Sequence, residues 1–279
     1  MAINLTTRFA PYTDEMFSTE SKTSLVTNKD LDWTGAHSIK VYKISTSAMN
    51  DYDRNPETEN LSRFGSVKDL EATTEEFTLT KDRSFTFAID KLDVDETAQQ
   101  LQAASALARQ LRQVVVPEVD AYVYGVMAAG AGTKPAAAAL TNTNIADKIL
   151  EANNSLDDAE VPETDRSIIV TPATYLLMKK SKDIVMETDI GNDLRLKGVI
   201  AMIDGVKVIK VPSKRLPENF GFMIAHPVAT VAPVKLEDYR IHQDPPGISG
   251  SLVEGRICYD AFVLSNKTKA ICYQAIPAE

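Results

Sequence analysis

The chain has 279 residues, of which 44% are apolar and 25% charged, and its formal net charge is −9 at pH 7. This composition excludes a disordered or collagen-like chain, and the acidic balance disfavours a dedicated nucleic-acid binder, because phosphate binding depends on lysine and arginine. The sequence contains no apolar run that predicts a signal peptide or a membrane span.

The first 30 residues are polar and show no hydrophobic period, which predicts an extended N-terminal arm with no buried face of its own. Alternating apolar residues then predict an antiparallel ribbon. One strand is expected over residues 39–44, and the other over residues 77–89, with a polar break at residues 81–83.

The segment between the two strands, residues 45–74, is too long for an ordinary loop. Residues 51–76 contain eight acidic and three basic residues, a net charge of −5. Apolar side chains such as Tyr52, Leu61 and Phe64 are interleaved among these acids, although a purely solvated loop has little use for them. We therefore favour docking on a partner over disorder.

A long helix is predicted after this ribbon. The acidic residues 90–96 are typical of a helix start, with Asp93 and Glu96 at capping-box-like spacing. Apolar residues recur every three to four positions from Leu101 to Val115, which predicts an amphipathic helix of about 20 residues. Pro117 is expected to end or kink it, and a second helical stretch continues to Gly130.

The rest of the chain has a mixed α/β pattern. Helices are predicted over residues 144–153 and after the Thr171-Pro172 cap, and strands over 167–170, 221–225 and 234–242. Asp204-Gly205 predicts a hairpin turn between residues 199–203 and 206–211. A C-terminal hairpin should pair residues 256–264 with 269–276. The two cysteines, Cys258 and Cys272, lie in that hairpin and are predicted to be reduced, packed thiols.

No catalytic, cofactor or metal site can be assigned from the sequence, and the expectation that the protein is not an enzyme comes from the resemblance described below. His37, His226 and His242 lack zinc-ligand spacing. Residues 130–134 fail the spacing of a phosphate-binding loop, and residues 247–251 fail that of a nucleophile elbow. The acidic residues 90–96 lack the glycine and the distal glutamate of a calcium loop.

The order of these segments resembles the major capsid protein of tailed bacteriophages, whose fold is shared with encapsulins and the herpesvirus capsid floor. Each motif is weak alone, but together they span residues 35–275. They are DRSFTF at 82–87, DKLDVDET at 90–97, VPEVDAY at 116–122, VTP at 170–172, IDGV at 203–206, VPS at 211–213, HP at 226–227 and EGRICYDA at 254–261.

The resemblance implies an α+β fold, the tailed-phage major capsid fold. Its parts would be an N-terminal arm (1–30), an extended β-ribbon loop (31–91), a peripheral domain with a long spine helix (92–139), an axial α/β domain (140–230), peripheral strands (231–266) and an axial closing strand (267–279).

The resemblance also implies a subunit that self-assembles, in the host cytoplasm, into the hexamers and pentamers of an icosahedral virion shell. That shell would enclose double-stranded DNA without sequence-specific binding. A portal and a separate scaffolding protein would be partners, with no cofactor and no membrane.

We expect the acidic loop to contact a basic face of a neighbouring copy. The candidate contacts are Asp51, Asp53, Glu57, Glu59, Arg63 and Phe64 on the loop, and Lys179, Lys180 and Lys182 after the predicted helix that contains Tyr175. The loop tip, residues 50–60, has no lysine, which speaks against covalent cross-linking through a loop lysine. Two alternatives stay open: an encapsulin-type shell loaded with an enzyme, and a soluble α/β enzyme with an acidic lid.

Overall fold

The computed structural model describes residues 20–28, 38–52, 54, 62–65, 69–96, 102–181, 199–203 and 205–278. The chain divides into two compact units. The first, which we call the body, comprises Met1–Asp32 and Thr80–Glu279, and the second, which we call the ribbon unit, comprises Trp33–Leu79.

The ribbon unit is built on two antiparallel strands, β1 (Ser38–Ile44) and β2 (Ala72–Thr78), which pair without interruption along their whole length. A cross-strand ion pair joins Lys43 Nζ to Glu75 Oε2 at 2.9 Å. The predicted ribbon is therefore confirmed for its first strand and for the start of the second.

The second predicted strand, residues 77–89, is in fact two strands with a break at Leu79-Thr80 rather than at residues 81–83. A break of two residues keeps the alternation of apolar side chains in phase, so the periodicity cannot distinguish one strand from two. The part beyond the break belongs to the body and pairs there with a strand near the C-terminus.

The body contains the following elements in chain order: β3 (Lys81–Asp90), α1 (Lys91–Glu96), α2 (Ala103–Gln110), a π-helical turn (Leu111–Val115), α3 (Val116–Gly130), α4 (Ile145–Asp157), β4 (Ser167–Val170), α5 (Pro172–Lys180), β5 (Val199–Ile203), β6 (Val206–Lys210), β7 (Phe220–Ala225), β8 (Thr230–Val231), β9 (Val234–Gln243), β10 (Gly250–Tyr259), β11 (Phe262–Val263) and β12 (Ile271–Ala275). Short 3₁₀ turns lie at Thr23–Leu25, Ser213–Arg215, Pro227–Ala229 and Ser265–Ala270.

The long helix begins at Ala103, after an extended Gln102, rather than in the acidic run at residues 90–96, and it is not ended by its proline. The acidic run instead begins the separate short helix α1. Asp90 Oδ1 accepts the N–H of Leu92 at 2.8 Å, so Asp90 rather than Asp93 caps α1. The helical segment from Ala103 to Gly130 is continuous, and Pro117 lies directly after the π-helical turn Leu111–Val115. A proline has no N–H to donate to a helical hydrogen bond, and the wider π turn changes the hydrogen-bond pattern where that donor is missing. We call α2, the π turn and α3 together the spine helix.

The described residues of the body form two larger sheets. β3, β10 and β9 form an antiparallel sheet in that order. Among the described residues, five strands form a second sheet in the order β12-β7-β4-β6-β5, in which only β4 and β6 are parallel. Val123, Tyr124 and Met127 of α3 pack on one face of this second sheet, and α4 and α5 cover the other face.

Several local predictions are confirmed. Thr171 caps α5, with its Oγ1 accepting the N–H of Thr174 at 3.1 Å, and Pro172 occupies the first turn. Gly205 has a φ of +75° between β5 and β6, as the hairpin turn requires. The strands predicted over residues 167–170, 221–225 and 234–242 all form, with ends within one residue of the prediction.

The predicted C-terminal hairpin is wrong. The 3₁₀ turn at Ser265–Ala270 redirects the chain, so that β12 pairs with β7 while β10 pairs with β3 and β9. Cys258 and Cys272 consequently lie in different sheets, and both are free thiols, as predicted.

Candidate assembly surfaces

The root of the N-terminal arm is anchored on the body by a buried ion pair. Asp120 of the spine helix accepts from Arg215 Nη1 at 2.7 Å and from Ser21 Oγ at 2.6 Å. Arg215 also donates to the carbonyl of Glu20 at 3.5 Å. Burial raises the pKa of Asp120, and the hydrogen bonds from Ser21 and Arg215 oppose that rise. The carboxylate thus ties three separate segments together.

The arm root continues into the core. Val26 is fully buried, and the N–H of Asn28 donates to the carbonyl of Thr230 at 2.7 Å. The expectation that residues 1–30 bury no face of their own therefore fails for residues 20–28, while residues 1–19 lie outside the described residues. A single valine in a polar stretch has no periodicity, so no pattern predicted its burial.

A second buried carboxylate holds the first residue of the body after the ribbon unit. Asp260 Oδ2 accepts both the N–H and the hydroxyl of Thr80 at 2.8 Å, and its Oδ1 accepts the Tyr122 hydroxyl at 2.7 Å and the Ala261 N–H at 2.8 Å. Burial and the nearby Asp260 raise the pKa of Tyr122 to about 12. The start of β3, the spine helix and the end of β10 are thereby fixed to one another.

The ribbon unit exposes an aromatic pair in the segment that connects its two strands. The rings of Tyr52 and Phe64 meet edge to face with centroids 5.2 Å apart, yet the residues are 52% and 78% exposed. Asn50 Nδ2 donates to the carbonyl of Phe64 at 3.3 Å, and Gly65 turns the chain at a φ of +88°. Exposed aromatic side chains held in place by local contacts are typical of a docking surface.

The predicted loop contacts are only partly described. Asp51, Arg63 and Phe64 are exposed, whereas Asp53, Glu57 and Glu59 lie outside the described residues. The ribbon unit also exposes Tyr42, Ile44 and Met49, so that it carries half of the large exposed apolar side chains found among the described residues, although it is much smaller than the body.

One lysine of the predicted basic face, Lys179, lies over a tyrosine ring on α5 together with Lys210 of β6. Lys179 Nζ lies 5.1 Å from the centroid of the Tyr175 ring and Lys210 Nζ lies 5.5 Å from it. Lys180 is exposed beside them, and Lys182 lies outside the described residues. Sequence reasoning missed Lys210, because it is brought to α5 by the parallel pairing of β4 with β6. A contact between this face and the loop of another copy stays a prediction.

The glycine-rich residues 130–134 have a packing explanation. A Cβ at Gly132 would lie 2.6 Å from the backbone of Thr268, and the N–H of Gly132 donates to that residue's carbonyl at 2.8 Å. The glycine allows two backbones to approach closely.

The described residues contain no group of three or more His, Cys, Asp or Glu side chains arranged to hold a metal ion. His226 is a local cap whose Nδ1 accepts the N–H of Val228 at 3.1 Å, and His242 faces Glu254 at 3.2 Å; His37 lies outside the described residues. Within the described part of the chain, every helix is too short or too polar to cross a membrane.

Solved capsid structures share this architecture over nearly the whole chain. A structure from Mycobacterium phage Che8 matches with a TM-score of 0.75 and 16% identity over 98% of both chains. The capsid of cyanophage P-SCSP1u matches with a TM-score of 0.73 and 16% identity, over 99% of this chain and 94% of that one. A virus-like particle from Pyrococcus furiosus matches less well, with a TM-score of 0.55 and 12% identity over 91% and 92% of the chains.

The ribbon, the spine helix and the two sheets therefore form the major capsid fold of phages. A protein-family model described as phage capsid protein matches residues 72–271, which is well over half of the sequence. The chain belongs to the phage capsid protein family, and both family and fold point to a structural protein of the virion rather than an enzyme. No curated protein sequence matches it.

Proposed function

We propose that this capsid protein builds the wall of an icosahedral phage head as hexamers and pentamers that enclose double-stranded DNA. The observation that carries the proposal is the family match over residues 72–271. The exposed apolar side chains of the ribbon unit support it, because an isolated subunit would leave them in water and a neighbouring copy can bury them.

The strands that make up each of the two larger sheets support the domain assignment implied by the resemblance. Strands β9 and β10 return to β3 and the spine helix, as expected for a peripheral domain over residues 92–139 and 231–266. Strand β12 joins the sheet of residues 167–225, as expected for an axial domain over residues 140–230 that is closed by residues 267–279. The resemblance extends the loop to residue 91, but β3 pairs within the body, so we assign the extended loop to the ribbon unit, Trp33–Leu79, and the arm to residues 1–30.

Contacts between copies are proposed to pair unlike charges. The loop between β1 and β2, residues 45–71, carries a net charge of −3, because Glu75 and Glu76 lie in β2 and pair with Lys43 and Lys40 of β1. The proposed basic face of Lys179, Lys180, Lys182 and Lys210 carries the opposite sign. In a ring or shell, each copy would offer its loop to one neighbour and its basic face to another. Many modest contacts of this kind add up to a stable shell by multivalency.

The packaged DNA would be held without sequence-specific contacts. The net charge of −9 keeps the shell wall from adhering strongly to phosphates. A portal and a separate scaffolding protein are proposed as partners in assembly, which would take place in the host cytoplasm.

Imaging and sedimentation of the purified chain test the proposal. We expect capsomers or closed shells far above the 30.6 kDa of one copy. A monomer over a wide concentration range would contradict every shell function. Particles produced during infection should contain DNA, whereas a protein cargo would favour the alternative of an encapsulin-type compartment.

A further inference from the structure

An apolar groove runs along the spine helix on the side where the arm root is anchored. Its volume is about 240 Å³. One wall is the helix, with Leu111, Val115 and Val119, and the other is the three-stranded sheet, with Val234, Tyr239 and Ile257. Val234 remains 45% exposed at the groove's edge. The sheet and the helix thus leave apolar surface between them that no described residue covers.

Ser21 marks one end of this groove. Its hydroxyl donates to Asp120, which lies at the end of the helical wall, and both residues line the groove. The chain upstream of Glu20 therefore begins at the mouth of the groove. The first apolar side chains that it carries are Met16 and Phe17, followed towards the N-terminus by the acidic pair Asp14-Glu15.

The lengths of the groove and of this segment agree. The helical wall from Leu111 to Asp120 is about 13 Å long at 1.5 Å per residue. An extended chain from Ser21 back to Phe17 spans about 13 Å at 3.3 Å per residue. An extended segment that starts at Ser21 would bring the Phe17 side chain to the Leu111 end.

We propose that this groove is the docking site for Met16 and Phe17 of the same chain. The aromatic ring and the thioether bury apolar surface of their own and cover that of Val115 and Val119. Docking there would fix the course of the arm as far as residue 16, so that only the part before Met16 could reach another copy.

Chymotrypsin digestion of the full-length chain, read out as the masses of N-terminal fragments, tests this directly. The enzyme cleaves after aromatic residues, and the arm offers Phe9 and Tyr12 as internal references for Phe17. We expect cleavage after Phe17 to be at least several-fold slower than cleavage after Phe9 or Tyr12. Equal rates at the three sites would overturn the proposal.

A matched pair of variants on β9 separates groove occupancy from general stability. Val234→Lys places an ammonium at the edge of the groove and should remove the protection of Phe17. Ile241→Lys lies on the same strand, at 39% exposure and away from the groove, and should leave that protection unchanged. Protection that survives Val234→Lys would contradict the groove as the site.

A third variant removes the aromatic ring of the proposed occupant itself. Phe17→Ala should lower the melting temperature of the subunit, whereas Phe9→Ala should not; equal melting temperatures would contradict docking of Phe17. The digestion is repeated at concentrations where only single copies sediment. Protection that disappears on dilution would assign the groove to the arm of a second copy and would overturn the intramolecular site.

Discussion

Asp120 and Arg215 form an ion pair inside the body, with Arg215 Nη1 2.7 Å from Asp120 Oδ2 and side chains that are only 6% and 3% exposed. The two residues come from the spine helix and from the 3₁₀ turn after β6, 95 positions apart in the sequence. Ser21 of the arm root donates a hydrogen bond to the other oxygen of the same carboxylate. Breaking this pair would leave a charge in the protein interior and remove one of the contacts that hold the arm root.

Replacement of Asp120 by alanine should destabilise the subunit by about 3–5 kcal/mol, because it removes one member of a buried ion pair. The double variant Asp120→Leu/Arg215→Met should recover much of that loss. Urea unfolding measures both. The exposed pair Asp82–Arg256 provides the control, since Asp82→Ala should leave the midpoint nearly unchanged. Equal losses from Asp120→Ala and Asp82→Ala would contradict this account.

Two glycines should respond oppositely to substitution by alanine. A Cβ at Gly255 would lie 2.3 Å from the Phe85 ring, and the resulting overpacking should cost about 1–3 kcal/mol. Gly125, within α3, has no neighbour within 4 Å of an added Cβ, so Gly125→Ala should stabilise the helix by about 0.5–1 kcal/mol. Thermal or urea unfolding of the two variants checks the signs, and a gain from Gly255→Ala would refute the packing argument.

The ion pair of Asp165 and Lys207 should make the free energy of unfolding of the subunit depend on pH in the acid range. The hydrogen bond from Lys207 lowers the pKa of Asp165 below its ordinary 3.8, so the folded protein keeps this carboxylate ionised where the unfolded chain is already protonated. Its stabilising contribution is therefore present above the unfolded pKa and is lost as the pH falls through the lower, folded pKa.

Asp165→Asn should accordingly lose less stability than the wild type between neutral pH and about pH 2. Asparagine also tolerates the φ of +62° at this position, so the backbone is not strained. Asp165→Ala should cost a further ~1–2 kcal/mol at every pH because of that left-handed conformation. Parallel unfolding curves for wild type and Asp165→Asn over the acid range would exclude the pair as the cause.

Charge reversal of the basic face should impair assembly without unfolding the subunit. The variant Lys179→Glu/Lys180→Glu/Lys182→Glu removes the charge that the acidic loop needs, while Lys179 and Lys180 are exposed and contribute little to the core. The control variant, Lys134→Glu/Lys267→Glu/Lys269→Glu, has the same net charge as the first variant but leaves the basic face intact. Negative-stain imaging and melting curves are compared, and normal shells from the first variant would remove the proposed contact.

The sequence predicts only those parts of the candidate surfaces whose charge or exposure depends on the composition of one short segment. The acidic loop and the lysines after Tyr175 follow from composition, and a contact between them stays a prediction. The two buried carboxylates, Asp120 and Asp260, were not predicted, because a single acid in a helix or at a strand end carries no signal. Their partners, Ser21, Arg215 and Thr80, come from distant parts of the chain.

By itself, the sequence determined the features whose causes lie within a few residues: the cap at Thr171-Pro172, the turn at Gly205, the apolar stripe of the spine helix and the acidic composition of the loop between β1 and β2. Only the tertiary structure decided that β3 leaves the ribbon to join β10, that β12 pairs with β7, and that the helix passes Pro117 through a π turn. The physical reason is that alternation of apolar side chains specifies which face of a strand is buried, whereas the partner strand is selected by packing between segments far apart in the chain.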